Sequence, residues 1–520
     1  MWRSQEFESY TVYGFTYQAQ IRFYVIHISF QQPCVIIMNF KIIFNVLGKM
    51  LILLAALLLL PTIISLIYKE PTYVTNSFLI TIMICFIISL LLHFLTKDVT
   101  ERDFYKREGY VIVTLTWVIF SLIGALPFYI SGEIPHYIDS FFETVSGFTT
   151  TGSTILEDIE TLSKSLLFWR SFTHFIGGMG VIVFALAILP RSPHTIHIAK
   201  AEVPGPYFGK VVSSMKQTAI YLYGIYMALT VLLFIFLMFG GVGFFDSINL
   251  AFSTAGTGGF SVRNAGIAYY NSTYVTVVIA IFMLIFSMNL SLLYFIIFKR
   301  YFKVLKSEEL RWFFGMIGIL SVIMFLDIYR SYDTPNHSLL DVFFTVSSVV
   351  STTGFTYNDF NIWPVFSKMI ILILMIVGGC TGGTAGGIKI PRLIFFVKNA
   401  KLSISKALNP RKIAMVKIDG KVIKDTTPLS NYLLLFGFVY VIILFLITFQ
   451  INDFEDAISL TVTSISNAGP AFNHYGPMSN FSQIPYFTKM ILSVSMLLGR
   501  LELMPLIVFF SANTWKKRRK

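Results

Sequence analysis

The chain has 520 residues, of which 55% are hydrophobic, 16% aromatic and only 13% charged, about half the charge usual for a soluble domain. With 52 Phe and a mean hydropathy of +0.72 it is excluded from the water-soluble globules and is expected to be a polytopic membrane protein. The formal net charge of +13 would suggest a nucleic-acid partner in a soluble protein, and the three cysteines, Cys34, Cys85 and Cys380, offer neither a disulfide framework nor metal-ligand spacing.

Residues 1–37 lack the basic, apolar and small-residue order of a signal peptide. They are taken as an N-terminal extension, either an upstream over-reading of the start or disordered chain in loose membrane contact, with Met38-Asn-Phe-Lys beginning a short cytoplasmic start. Apolar runs of membrane length then follow at Val46–Tyr68, Val74–Phe94, Tyr110–Ile130, Leu166–Leu189, Ala219–Phe239, Tyr274–Phe298, Trp312–Leu326, Met369–Phe396, Tyr432–Phe449 and Met490–Phe510. Ten spans put both termini on one side of the membrane.

Basic residues alternate between the connections. Four lie among Lys97, Arg102, Lys106 and Arg107, four among Arg191, Lys200, Lys210 and Lys216, and five from Lys299 to Arg311. Ten more lie between Lys389 and Lys424, and the tail Lys516–Lys520 adds five. The intervening connections carry little beyond Lys164 and Arg263, so the rich set is cytoplasmic by the positive-inside rule. The positive charge is therefore topological, which removes the argument for nucleic acid.

The non-cytoplasmic connections repeat one another. In Asp139-Ser-Phe-Phe-Glu-Thr-Val-Ser-Gly-Phe-Thr-Thr-Thr-Gly152, and in the segments Asp246 to Gly259, Asp341 to Gly354 and Asp456 to Gly469, an Asp precedes a Gly by 13 residues; the glycines recur at intervals of 107, 95 and 115. A unit of roughly a hundred residues, with a span on each side of the loop, is a repeat architecture. Each loop predicts a short re-entrant helix, its Asp acting as N-cap at the positive dipole end, followed by an extended strip of small hydroxyl residues and Gly. Such backbone is tolerated at membrane depth only where protein or a water-filled path satisfies it. Four strips around one axis make a ring of carbonyl oxygens, the means by which a protein replaces the hydration shell of a monovalent cation.

These motifs resemble the Trk/Ktr/HKT superfamily of potassium transporters over about Met38 to Ala512. The resemblance rests on Phe-Thr-Thr-Thr-Gly-Ser (148–153), Gly-Thr-Gly-Gly-Phe-Ser (256–261), Ser-Thr-Thr-Gly-Phe (351–355), Asn-Ala-Gly-Pro (467–470), His-Phe-Ile-Gly-Gly-Met-Gly (174–180) and Gly-Arg-Leu-Glu (499–502). Two spans ahead of the first unit are similar to the TrkH/TrkG branch rather than to KtrB. The resemblance implies an all-α polytopic membrane protein with four pseudo-repeated helix–pore loop–helix units around one pore, preceded by two extra transmembrane helices. The boundaries are 38–100 for those two helices, 101–198, 199–305 and 306–425 for units one to three, and 426–520 for unit four with the basic tail.

By the same resemblance the ion sites are the backbone of Thr150, Thr151 and Gly152; Thr257, Gly258 and Gly259; Thr352, Thr353 and Gly354; and Asn467, Ala468 and Gly469. It further implies potassium as transported ion, no cofactor in this chain, and a homodimer in the plasma (inner) membrane of a prokaryote. The expected partner is a cytoplasmic TrkA-like nucleotide-binding regulatory subunit, docked on the basic connections. Proton or sodium symport against channel-like conduction is not legible, Asp327 and Glu502 being the span-level acids of interest. A sodium- or ammonium-preferring relative is an alternative, since only two strips have Thr-Thr-Gly. A polytopic membrane enzyme, using Asp139, Glu143 and His174, is disfavoured because the Asp recurs in every unit.

Between Gly378 and Gly387 the chain holds Gly378, Gly379, Gly382, Gly383, Gly386 and Gly387. A phosphate loop is excluded by the absence of Gly-Lys-Ser/Thr. Close helix packing is one account; a mobile intramembrane loop is the other, because each Gly weakens a helix by about 1 kcal/mol relative to Ala. In the family this segment is a gate under the filter. Aligning Phe366-Ser-Lys368 with Phe487-Thr-Lys489 sets Gly379 opposite Arg500, a charge at mid-span that is expected to face the pathway rather than pair with Glu502, two residues away.

Overall fold

The computed structural model describes residues 35–36, 38–96, 106–180, 215–297, 304, 306–329, 335–411, 415–423, 427–516 and 518–519. It divides into Met38–Trp515 and a small unit of the chain ends, Met1–Ile37 with Lys516–Lys520. In that small unit the described residues pair β1 (Val35–Ile36) antiparallel with β4 (Arg518–Arg519); the rest of the extension expected at 1–37 lies outside the described residues.

Leu/Ile-rich sequence forms α1 (Phe40–Ile67), which runs through Pro61 and whose first turn is capped by Asn39 accepting from the Ile42 amide at 3.3 Å, and α2 (Thr72–Leu95). The two lie side by side, with Ser89 donating to the Gly48 carbonyl at 2.9 Å where the small residue lets the backbones approach. Among the described residues the remaining α-helices are α3 (Lys106–Gly124), α4 (Leu126–Ile130), α5 (Tyr137–Phe148), α6 (Lys164–Gly178), α7 (Met215–Phe239), α8 (Phe244–Gly256), α9 (Thr273–Ser287), α10 (Leu290–Ile297), α11 (Glu308–Ile328), α12 (Pro335–Val350), α13 (Val365–Val377), α14 (Ile390–Leu408), α15 (Thr427–Ile447), α16 (Phe454–Ser466), α17 (Tyr486–Arg500), α18 (Met504–Phe510) and α19 (Ala512–Trp515). A hairpin of β2 (Lys417–Ile418) and β3 (Lys421–Val422) separates α14 from α15.

Among the described residues, six of the ten expected spans are helices long and apolar enough to cross a membrane, but Tyr274–Phe298 and Met490–Phe510 are not straight. The first bends by 100° between α9 and α10, and the second by 118° between α17 and α18. The first bend has a local cause. Where α9 stops, its carbonyls Phe286 and Ser287 accept from the Thr384 (3.1 Å) and Cys380 (3.0 Å) amides of the glycine-rich segment, and that segment's Gly382 carbonyl accepts from Leu290 (3.2 Å). Backbone released at membrane depth is thus satisfied by another element. At the second bend Glu502 and Leu503 take positive φ, 51° and 66°. Met369–Phe396 is likewise broken, into α13, the glycine-rich segment and α14; α6 ends at Gly178, and residues 181–189 of the expected run Leu166–Leu189 lie outside the described residues.

The four re-entrant helices are α5, α8, α12 and α16. Their hydroxyls bond back to the preceding turn, as in Thr144 to Ser140 O (2.8 Å), Thr254 to Leu250 O (2.7 Å) and Thr461 to Ala457 O (2.7 Å), which lets polar helices sit inside apolar protein. The repeated Asp is not the N-cap that spacing predicts. His136, Gly243 and Asp453 occupy that position in α5, α8 and α16, leaving Asp139, Asp246 and Asp456 inside the first turn, while Asp341 lies well within α12. The carboxylates instead take cross-links: Asp139 with Lys489 (2.6 Å), Asp246 with Arg263 (2.9 Å) and the Tyr270 hydroxyl (3.0 Å), Asp456 with His474 Nδ1 (2.8 Å). They still lie at the positive dipole end, but each also ties its re-entrant helix to chain beyond the strip.

Candidate ion pathway

Each re-entrant helix ends in a strip with one backbone signature. The first residue is left-handed and the third, a Gly, also has positive φ: Thr150 55° and Gly152 85°, Thr257 52° and Gly259 81°, Thr352 51° and Gly354 78°, Asn467 54° and Gly469 99°. Alternation of this kind turns successive carbonyls to one side.

The strips close on one another in order. A Cβ built on Gly152 would run into the Gly258 carbonyl oxygen, one on Gly259 into that of Thr353, one on Gly354 would lie 2.5 Å from that of Ala468, and one on Gly469 2.9 Å from that of Thr151. Every strip therefore presses its Gly against the middle carbonyl of the next, and the fourth returns to the first. The side chains work behind the strips. Thr149 with Thr151 (2.8 Å) and Ser351 with Thr353 (2.7 Å) pair hydroxyls, and the Asn467 amide donates to Thr151 Oγ1 (3.0 Å) and to the Met496 carbonyl (2.9 Å). The ring is unequal at the Gly469 carbonyl, which accepts from Ser153 at 2.8 Å.

One end of the ring opens into a cavity of 190 Å³ lined by Gly152, Gly259, Gly354 and Gly469 and by Arg170. The end that meets the re-entrant helices is covered. Gly386 donates its amide to Thr352 Oγ1 at 2.7 Å, and a Cβ added to it would strike the Ser466 carbonyl. Arg500 donates to the Thr384 carbonyl of the same segment (2.8 Å), to Gly177 O and to Gly178 O (2.8 Å); Gly177 abuts the Phe148 carbonyl and Gly178 abuts Gly256. All four strips are thus underlain by the glycine-rich segment or by the α6 turn that Arg500 grips.

The expected register is corrected here: Arg500 meets Thr384, whereas Gly379 packs near Ser287 and Ala385. Close packing accounts for Gly379 and Gly383, which permit close approach to the end of α9, while Gly378, Gly382 and Gly387 hold positive φ where the segment runs as a loop rather than a helix. Glu502 pairs with Lys389 (3.0 Å) and Arg392, not with Arg500. Two of the residues assigned to the surface as topological charge are therefore buried partners of that carboxylate. Lys368 and Lys489, which the count of basic connections passed over, are paired with Glu455 and Asp139.

The polar groups considered for an enzyme are each engaged in packing or pairing. Asp139 is bound to Lys489; Glu143 accepts from Arg170 Nε (2.8 Å), Thr154 and the Ile155 amide (2.9 Å); His174 stacks on Phe260 at 4.2 Å. Asp327 accepts from Ser367 at 2.7 Å. Sequence reasoning missed Arg170, which has 2% exposure. The signal was available, a charge within the run Leu166–Leu189.

A ring of four backbone strips inside a bundle of apolar helices defines the class, a membrane protein that passes ions rather than one that performs covalent chemistry. The chain belongs to the TrkH family of cation transport proteins, whose model matches residues 75–517. It is 32% identical over 490 residues to the Trk system potassium uptake protein TrkH of Salmonella typhimurium, covering 92% of this chain and 100% of that one, and 30% identical over 483 residues to TrkG of Escherichia coli, covering 92% and 99%. The crystal structure of the potassium transporter TrkH from Vibrio parahaemolyticus superposes with a TM-score of 0.82 at 28% identity, covering 92% of this chain and 100% of that one.

Proposed function

We propose that this chain takes up potassium across the plasma membrane of a prokaryote, through a filter formed by the carbonyls of Thr150-Thr151-Gly152, Thr257-Gly258-Gly259, Thr352-Thr353-Gly354 and Asn467-Ala468-Gly469. The observation that carries the reading is the cyclic contact of each strip's Gly with the next strip's middle carbonyl. Units 101–198, 199–305, 306–425 and 426–520 each contribute one strip, and the membrane potential, worth ~2.3 kcal/mol per charge per 100 mV, drives the ion inward. Gly378, Gly379, Gly382, Gly383, Gly386 and Gly387 with Arg500 form the gate: the segment covers the inner end of the ring, and the arginine is a fixed positive charge beside it. Both termini are cytoplasmic, by the distribution of basic residues. A homodimer and a cytoplasmic TrkA-like nucleotide-binding subunit complete the assembly, as the family resemblance implies.

The unequal fourth strip, with its Gly469 carbonyl engaged by Ser153, favours a second reading in which sodium or ammonium competes effectively. Growth of a potassium-uptake-deficient bacterium on low potassium, followed by flux into liposomes with sodium and ammonium as competitors, tests both. Failure to restore growth together with absent potassium flux refutes the function.

A further inference from the structure

The outer ends of the four strips are not held alike. Two residues beyond the Gly of strips one and two stand Thr154 and Ser261, and a single buried guanidinium reaches both: Arg170 donates to Thr154 Oγ1 and to the Ser261 carbonyl, each at 3.2 Å. The matching residues of strips three and four are held by backbone, Thr356 O accepting from Ile267 (3.1 Å) and Ala471 donating to Tyr475 O (3.1 Å). Arg170 also lies over the Phe260 ring at 4.1 Å, and His174, one turn further along α6, stacks on the same ring at 4.2 Å. Residues at i and i+4 of one helix thus clamp the residue that follows the filter glycine of strip two. The His174 ring also fills the space a side chain would need at Gly258.

The charge is balanced where it is placed. Arg170 lines the cavity above the ring, and a bare cation there would repel the ion to be bound; Glu143, on the re-entrant helix of unit one, lies 2.8 Å away and is itself held by Thr154 and the Ile155 amide. Planar, multiply donating guanidinium suits three acceptors in different directions, which a lysine ammonium on a flexible stem does not reproduce.

We propose that Arg170 is a positioning residue for ion selection, fixing the outer turns of strips one and two against each other while Glu143 cancels its charge in the vestibule. The inference rests on the potassium-uptake reading.

The test uses the full chain in liposomes, with Arg170→Lys, Glu143→Gln, the double variant Arg170→Gln/Glu143→Gln and Thr154→Val. Arg170→Lys keeps the charge but loses the two-strip grip, so the potassium-over-sodium flux preference falls about tenfold while the half-saturating potassium concentration moves little. Glu143→Gln leaves the cation uncompensated and raises the half-saturating concentration about tenfold, an effect that shrinks as ionic strength rises. The double variant restores half-saturation and keeps the poor preference, which separates charge from position. If Arg170→Lys does not fold, Thr154→Val decides, with an expected loss of about threefold in preference from the missing hydroxyl. Arg170→Lys or Thr154→Val that elutes and melts as the parent does and keeps its preference overturns the proposal, as does Glu143→Gln with unchanged half-saturation. A parent chain with no potassium preference refutes the proposed function instead.

Discussion

Replacing each strip glycine by Ala should rank the four strips by steric overlap. At Gly354 the added methyl would stand 2.5 Å from the Ala468 oxygen, against the 3.4 Å at which ordinary contact begins, so that carbonyl must move by about 0.9 Å; at Gly469 the gap of 2.9 Å to Thr151 O requires only about 0.5 Å. At Gly152 and Gly259 the methyl would overlap the next strip's carbonyl outright. All four positions also have φ between 78° and 99°, a strain of about 1–3 kcal/mol for Ala whichever strip is chosen. The strain is therefore common, and the differences come from displaced carbonyls. Misplacement near 1 Å is worth about a hundredfold where geometry sets the function, so Gly354→Ala should lose nearly all potassium-over-sodium discrimination. Gly469→Ala should lose about tenfold, half the displacement giving roughly half the free-energy change, and Gly152→Ala and Gly259→Ala should abolish selective flux. Competitive flux in liposomes, on protein matched by thermal melting, measures it. Unchanged discrimination in folded Gly354→Ala, or Gly469→Ala as the most damaged of the set, would refute the carbonyl-contact reasoning.

Arg500→Ala should raise flux by removing a fixed charge and three carbonyl contacts; combined with a shortened Gly378–Gly387 segment the effects should be less than additive, because Arg500 and Thr384 are bonded, and strict additivity in liposome flux argues against a shared gate. Glu502→Gln should destabilise the protein by about 3–5 kcal/mol, since it leaves Lys389 and Arg392 buried without their carboxylate; a melting temperature in detergent equal to the parent's would contradict that. His474 is raised above its ordinary value by its hydrogen bond to Asp456 and by that carboxylate's charge. Its support of the α16 turn is thus fully present below pH 6.5 and lost as pH rises through the raised value, so melting should drop across that window and the drop should vanish in His474→Gln.

Hydropathy and charge alone made the class of protein legible. Ten apolar runs, basic residues concentrated in alternate connections and four loops with one Asp-to-Gly spacing are all local or periodic properties, and they lead to the polytopic helical class, an expected sidedness and an expected fourfold repeat without knowledge of any contact. The strips were located by that repeat, and their role as ion sites was implied by the family resemblance; the left-handed φ of Thr150, Thr257 and Thr352, which a β-branched residue rarely adopts, was not legible. The repeated Asp shows the limit. Its spacing was read correctly and its role was not, because an Asp in the first turn satisfies the dipole as an N-cap does, and only its partners Lys489, Arg263 and His474 tell the two apart.

What tertiary structure alone decided was which buried groups meet. Glu502 faces Lys389 and Arg392, more than a hundred residues away, and a strong bend after Arg500 turns the two neighbours to different partners. Arg500 bonds to Thr384, within the same glycine-rich segment as the Gly379 that alignment sets opposite it, and that partner could not be read from the alignment. The bend at α9 likewise depends on amides of a distant glycine-rich segment. A buried charge or an unpaired carbonyl must be satisfied by something, and the sequence states that requirement locally; the partner is chosen by packing across the chain, where no local pattern records it.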